Sequence, residues 1–422
     1  MKSFHKPILF LIVLIAINSS CNKEETFSEI QLVNSTVYSL MKDVYLWYTA
    51  IPDLDPVDFS SPQELMDELR YDVYDKWSVV ITKDEYYDFD QGEMIGYGMI
   101  YGEDNEGKVR VLSVYRNTPF ALQGVKRGWI ISKVNGNDVT FENLYSLLGT
   151  TAVGVTNDFT FIDENSNVVN LTIAKASITI TPVVYYDIIP YGGKNIGYMV
   201  FQTFIRSAYE ELEEAFTAFS TEGIDELIID LRYNTGGYLT VADTLAGWMI
   251  GDNYSGQPFV NLEFNNRYSN ENTTLNVPAI SAGLDLSRVF FIGTANTASA
   301  SELVINGMAS YIPTFLAGST TNGKPVGMSV FEFIDYDYVV LPVTFRYTNA
   351  DNEGDFFSGI TPDLPAEDDI TRNFGDPEEA SLKAVLDFID TGVMPAKTLK
   401  SAESRSIKLK SDIPMLQYLL EN

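Results

Sequence analysis

Histidine occurs once in the 422 residues, at His5, and cysteine once, at Cys21. Both fall in the first 21 residues, a stretch with the character of a removable leader, so the body of the chain has neither. A Ser-His-Asp triad is thereby excluded, as are a disulfide framework and a cysteine-held metal. Beyond the leader no apolar stretch reaches membrane-spanning length. Positive charge is also scarce: 28 Lys and Arg stand against 58 Asp and Glu, a formal net charge of -30. Without Lys2 and Lys6 the count becomes 26 against 58, a charge of about -32. Such a chain repels phosphate backbones, which argues against a nucleic-acid partner.

The leader has a basic start at Lys2 and Lys6, an apolar run over residues 8–17, and then Asn18-Ser19-Ser20-Cys21. It resembles a lipoprotein signal in which Cys21 becomes the lipidated first residue, although Asn18 stands where such signals usually carry an aliphatic side chain. Lys23-Glu24-Glu25 resembles the acidic sorting signals of some Gram-negative surface lipoproteins. The resulting expectation is a protein of the Gram-negative cell envelope, held to the membrane by a lipid on Cys21 and facing the periplasm or the surface.

Hydrophobic content of 45%, with 25 Tyr and 25 Phe, allows more than one core, and the length predicts two to three domains. After the leader, 1–21, residues 22–92 read as a linker and a helical region, with Val33, Val37, Leu40, Met41 and Val44 at helical spacing. That region is expected to act as a cap or a homo-oligomer contact. Residues 93–180 change to short strands and turns, among them Gly96-Tyr97-Gly98-Met99, a strand over 109–114 and the tight-turn pair Asn135-Gly136. From 181 to 395 strand and helix alternate, with buried-strand runs at 227–231 and 289–293, which predicts an α/β core. The charged tail, 396–422, carries no clear signal.

Ser299 and Lys324 are the candidate chemistry. Ser299 sits where a buried strand gives way to a helix, and first-turn amides there stabilise negative charge. The amide of Ala300 is one candidate oxyanion donor, and the Gly236-Gly237 turn is expected to supply the second, from Gly236 or Gly237, since glycine lets backbone approach a substrate. Ser299-x-x-Glu302 also reads as a capping box, as does Ser207-x-x-Glu210, which suggests no chemistry. Lys324, in Asn322-Gly323-Lys324-Pro325-Val326-Gly327-Met328, has small and apolar neighbours that can desolvate its ammonium. Desolvation lowers a lysine pKa from about 10.4, and a value near 7 would make the amine a base for a serine.

These pieces together resemble peptidase family S41, the carboxyl-terminal processing peptidases, whose fold is related to the crotonase and ClpP superfamily. The resemblance covers about residues 75–390 and rests on the 93–180 series, Gly197-Tyr198-Met199-Val200, Asp230-Leu231-Arg232-Tyr233-Asn234-Thr235-Gly236-Gly237, Thr297-Ala298-Ser299-Ala300-Ser301-Glu302, Gly323-Lys324 and Gly359-Ile360-Thr361-Pro362-Asp363. It implies a nucleophile at Ser299, a general base at Lys324, no metal and no organic cofactor. It also implies that 93–180 is a PDZ-like domain whose Gly96, Tyr97, Gly98 and Met99 receive a peptide, and that the partners are proteins or peptides engaged through their C-termini. Two departures stand out: the family's lysine-orienting glutamine, four residues after the lysine, is Met328 here, and the alternative aspartate, eleven after the serine, is Ser310. A thioether cannot orient an amine as an amide does. That leaves Ser310, Glu302 or another group for the task. It also keeps open a weak or inactive S41-fold protein that binds peptides or an apolar ligand.

Overall fold

In the computed structural model, residues 27–280, 283–394 and 407–411 are described. The leader with Cys21, and Lys23-Glu24-Glu25, lie outside them. The apolar runs at 227–229 and 289–292 have no polar face to offer water, and both become interior strands of a six-stranded sheet. Its order is Val183–Tyr191, Lys194–Phe201, Glu226–Asp230, Val289–Gly293, Thr314–Gly318 and Leu364–Pro365. Only the first pair is antiparallel. Alternate side chains leave the two faces. Met199, Ile229 and Phe291 meet helices Ala208–Glu222, Leu239–Ile250 and Ala300–Met308, while Ile196, Ile228 and Phe290 meet helix Ala380–Thr391.

A second, antiparallel sheet runs in the order Thr273–Asn276, Pro258–Phe264, Val343–Asn349 and Val326–Met328. The sequence reading did not separate it from the α/β repeat, because its strands are short and half-polar. Its strand Val343–Asn349 packs on helix Ala300–Met308 and pairs with the strand that follows Lys324.

The N-terminal region is only partly helical. Helix Glu29–Val44, capped by Ser28, and helix Pro62–Leu69, capped by Ser61, follow the expected period. Residues 79–81 instead form a strand, Val-Val-Ile, paired with Val339–Leu341. Three β-branched residues and an available edge override the helical reading. Val33, Val37, Met41, Leu65 and Met66 share one core with Val326, Val340 and Val343, so this region is a wall of the molecule's main body.

Residues 93–180 have their own core, in which Tyr97, Phe120, Phe159 and Phe161 are fully buried and the rings meet mostly edge to face. The sheet around it runs Met99–Glu103, Val109–Val114, Ile130–Val134, Thr156–Ile162, Val168–Ala174. Asn135 and Gly136 both take positive φ, 52° and 77°, in the tight turn their pairing predicts. Arg127 ties this unit to the α/β core: its guanidinium donates to the Tyr233 hydroxyl at 2.7 Å and to Asp368 at 2.7 Å. One local expectation fails. Ser207 adopts helical dihedrals and makes no cap bond, so Ser207-x-x-Glu210 is not a capping box.

Candidate active site

Strand Val289–Gly293 leads through residues 294–298 to Ser299, whose φ of 56° and ψ of -117° are strained for a residue with a Cβ. Hydrolases that present a serine on a sharp strand-to-helix turn store strain in the same place. The strain is held on every side. Glu302 Oε2 accepts the Ser299 amide at 3.1 Å, so the reciprocal half of the capping box exists. The Ser301 hydroxyl and the Ala298 amide both donate to the carbonyl of Asn234, each at 3.1 Å.

The Asn234-Thr235-Gly236-Gly237 turn lies against this serine. A Cβ on Gly236 would stand 2.8 Å from the Ser299 Cβ and 2.9 Å from the Ala300 nitrogen, so glycine here keeps the space in front of that amide clear. Gly236 itself is not an oxyanion donor, contrary to the sequence expectation, because its N–H is given to Asn234 Oδ1 at 2.9 Å. Asn234 in turn is anchored by its Nδ2 on the Phe201 carbonyl at 2.8 Å. The amides of Ala300 and Gly237 have no acceptor among the described residues, since Ala300 opens its helix and the bridge to Phe204 uses the carbonyl of Gly236 and the amide of Tyr238.

Lys324 is 7% exposed. Among the described residues its ammonium has no hydrogen bond and no ion pair, and it stands over the Trp77 ring, 5.5 Å from Nζ to centroid. Burial lowers its pKa from 10.5 to about 8, outweighing the Asp75 and Glu302 carboxylates, which pull it up. Its backbone is fixed firmly. Glu302 Oε2 accepts the Lys324 amide at 2.8 Å, Oε1 accepts the Gly323 amide at 2.7 Å and the Thr321 hydroxyl at 2.5 Å. One carboxylate therefore holds the backbone of both candidate residues. Tyr347 repeats the arrangement from the other side, its single hydroxyl proton shared between the carbonyls of Lys324 at 2.7 Å and Ser299 at 3.0 Å. The Gly359-Ile360 segment closes the frame, with the Ile360 amide on Thr321 Oγ1 at 2.7 Å.

Ser299 and Lys324 line one cleft of about 200 Å³, together with Gly236, Gly237, Trp77, Phe89, Met328, Leu341 and Phe345. Ser310 is elsewhere: it follows the far end of helix Ala300–Met308, roughly 16 Å along at 1.5 Å per residue, and does not line the cleft. It cannot orient Lys324. Trp77, Asn234 and Tyr347 were missed by sequence reading. Asn234 lies within the 230–237 motif, but no spacing rule links 77 or 347 to 324.

Gly96, Tyr97, Gly98 and Met99 lie at the entrance to strand Met99–Glu103 in the 93–180 unit. Tyr97 is a core ring, its hydroxyl held by Asn157 at 2.6 Å, and offers no side chain to a peptide. Gly98, at φ 85°, lies so close to Thr118 that a Cβ would stand 2.4 Å from it.

Two family models match the chain. The model described as peptidase family S41 matches residues 195–366 and the one described as peptidase S41 N-terminal domain matches 33–79. The chain belongs to peptidase family S41. It is a serine-type peptidase with the α/β fold of that family. A Staphylococcus epidermidis protein described as a CtpA-like serine protease is 25% identical over 353 residues, 82% of this chain and 67% of that one. A Staphylococcus aureus protein of the same description is 23% identical over 364 residues, 85% of this chain and 69% of its own length. This chain thus spans about two thirds of these curated relatives. A crystal structure described as an S41 protease from Bacteroides fragilis superposes with a TM-score of 0.73 at 26% identity, over 89% of this chain and all of the other. The expectation of a Gram-negative envelope is corrected by the curated relatives: they are staphylococcal, and a Gram-positive envelope has no periplasm.

Proposed function

We propose that this S41 chain is an endopeptidase of the carboxyl-terminal processing type that cleaves unfolded proteins through a Ser299–Lys324 dyad. The observation that carries the reading is the common brace: one buried carboxylate, Glu302, accepts the backbone amides of both residues. In the first step neutral Lys324 takes the Ser299 hydroxyl proton as Oγ bonds to the peptide carbonyl carbon. The amides of Ala300 and Gly237 receive the oxyanion. As the C–N bond breaks, the Lys324 ammonium returns its proton to the leaving amine. Water then attacks the acyl ester as Lys324 accepts its proton, and that proton passes to Ser299 Oγ as the ester C–O bond breaks, freeing the acid product and restoring neutral Lys324. The apolar lining from Phe89, Met328, Leu341 and Phe345 favours an apolar side chain at the scissile residue.

The organisation expected from sequence stays part of this proposal: a PDZ-like unit at 93–180, a peptidase domain at 181–395, and a form anchored by a lipid on Cys21. A peptide binder without turnover is the rival reading. That Lys324 Nζ has no acceptor among the described residues favours it, yet a buried amine without such a partner is also what a low lysine pKa needs.

The test is digestion of an unfolded protein by the chain from Asn22 onward beside Ser299→Ala, with new termini read by mass spectrometry. Termini produced by the parent alone are the expected result. Folded but silent parent, or equal cleavage by both, overturns the reading.

A further inference from the structure

The charged tail, silent in sequence, has a place in the fold. Leu409–Ser411 forms a strand at the edge of the 93–180 sheet, antiparallel to Met99–Glu103, with Leu409 opposite Gly102 and Ser411 opposite Ile100. This edge belongs to the strand that Gly96-Tyr97-Gly98-Met99 leads into, the position at which a sheet of this kind accepts an added strand.

The seat is shaped for the tail. Leu409 and Ser411 turn inward while Lys408 is exposed, the alternation of a half-buried strand. Leu409 is 6% exposed and belongs to one core with Ile100 and Leu112 of the sheet and Ile189 and Ile370 of the peptidase domain. A Cβ on Gly102 would stand 2.8 Å from the Lys408 carbonyl oxygen and 2.9 Å from Ile407 Cγ2, so the close approach of the two strands uses a glycine. Lys410 Nζ lies 4.9 Å from the centroid of Phe141 and 3.8 Å from Glu142, and the Ser411 hydroxyl donates to the Met99 carbonyl at 3.2 Å. The tail also differs in charge from the rest: residues 397–410 hold five Lys and Arg and one Glu in a chain of net charge -30.

We propose that residues 407–411 are a built-in occupant of the peptide-receiving edge, which an unfolded substrate must displace before adding its own strand. Being covalently tethered, the occupant competes at a high effective concentration. The tail therefore restrains turnover of long chains and leaves short peptides, which span only the cleft, unaffected. The inference rests on the reading of 93–180 as the substrate-receiving unit.

A reversible lock tests it on the full mature chain. Ile100→Cys with Ser411→Cys places two thiols at paired positions of an antiparallel ladder, within disulfide reach. The chain from Asn22 has no other cysteine. The oxidised form should cleave an unfolded protein about tenfold more slowly than the same sample after reduction, while a short chromogenic peptide is hydrolysed equally by both. Equal rates on the unfolded protein overturn the proposal. In a second measurement, Leu409→Asp in the full chain should bind a fluorescein-labelled peptide of sequence 405–413 about tenfold more tightly than the parent, and no gain overturns it. If no form cleaves either substrate, the peptidase reading fails, and the labelled peptide alone decides whether the tail holds the edge.

Discussion

Glu302 and Lys324 are both buried at the cleft, and the protein treats them in opposite ways. The Glu302 carboxylate is fully enclosed and accepts four donors, from Ser299, Thr321, Gly323 and Lys324. The Lys324 ammonium, nearly as deep, has no acceptor among the described residues and faces an indole. Burial raises the pKa of the first and lowers that of the second; each shift disfavours charge, but only the carboxylate is compensated by hydrogen bonds. The difference separates two tasks. Satisfied donors and acceptors fix geometry, whereas an unsatisfied amine is kept reactive.

The harshest way to break this division is to fill the space between the braced turn and the serine. Gly236→Ala sets a methyl 2.8 Å from the Ser299 Cβ and 2.9 Å from the Ala300 nitrogen, at a φ of 105°. On the proposed mechanism it obstructs one oxyanion donor, and loss of such a donor costs about 10²–10³ in kcat. Steady-state kinetics with a fixed peptide should show that loss in kcat with little change in KM. A normal kcat would remove the Ala300 amide from the mechanism.

Weakening the brace itself should cost less. Glu302→Gln keeps the side chain's size but leaves one oxygen and one NH2 facing donors that occupied both oxygens. At least one backbone amide then loses its acceptor inside the protein, a cost of about 1–3 kcal/mol. Thermal melting should register it, and kcat should fall by about 10–10² because the dyad's relative position loosens. Unchanged kcat with lowered stability would make Glu302 a structural residue only.

What could be read in the sequence follows the same division. Ser299 and Lys324 were visible because each sits in a compact local pattern, and so were the apolar strands that carry the first of them. The frame was not visible. Trp77 reaches Lys324 across about 250 positions of chain, and Tyr347 bonds to both segments from a strand whose alternation was too weak to find. Glu302 could be named only as one option, since a capping box looks alike with or without a partner segment to hold. Leu409–Ser411 was illegible for a further reason: a three-residue strand exists only because an edge is there to pair with.

The smallest and most discriminating change is at Trp77. Its ring acts on Lys324 in two opposed senses. Contact with the π face favours the ammonium by about 0.5–2 kcal/mol, while the indole's bulk keeps water away and favours the neutral amine. The net pKa of about 8 lies below the ordinary 10.5, so exclusion of water wins. Parent activity should therefore rise with pH through about 8 and level off above it, as the free base accumulates. Stability should also rise from about pH 8 toward 10.5, where the unfolded lysine still holds a proton that the folded one has released. Trp77→Ala admits water and should carry the activity midpoint upward by about one unit, lowering the rate near pH 7 about tenfold while the high-pH plateau stays close to the parent's. A midpoint that moved down would mean that the π contact outweighs the shielding, and that the dryness of Lys324 is owed to Met328, Leu341 and Phe345 across the cleft.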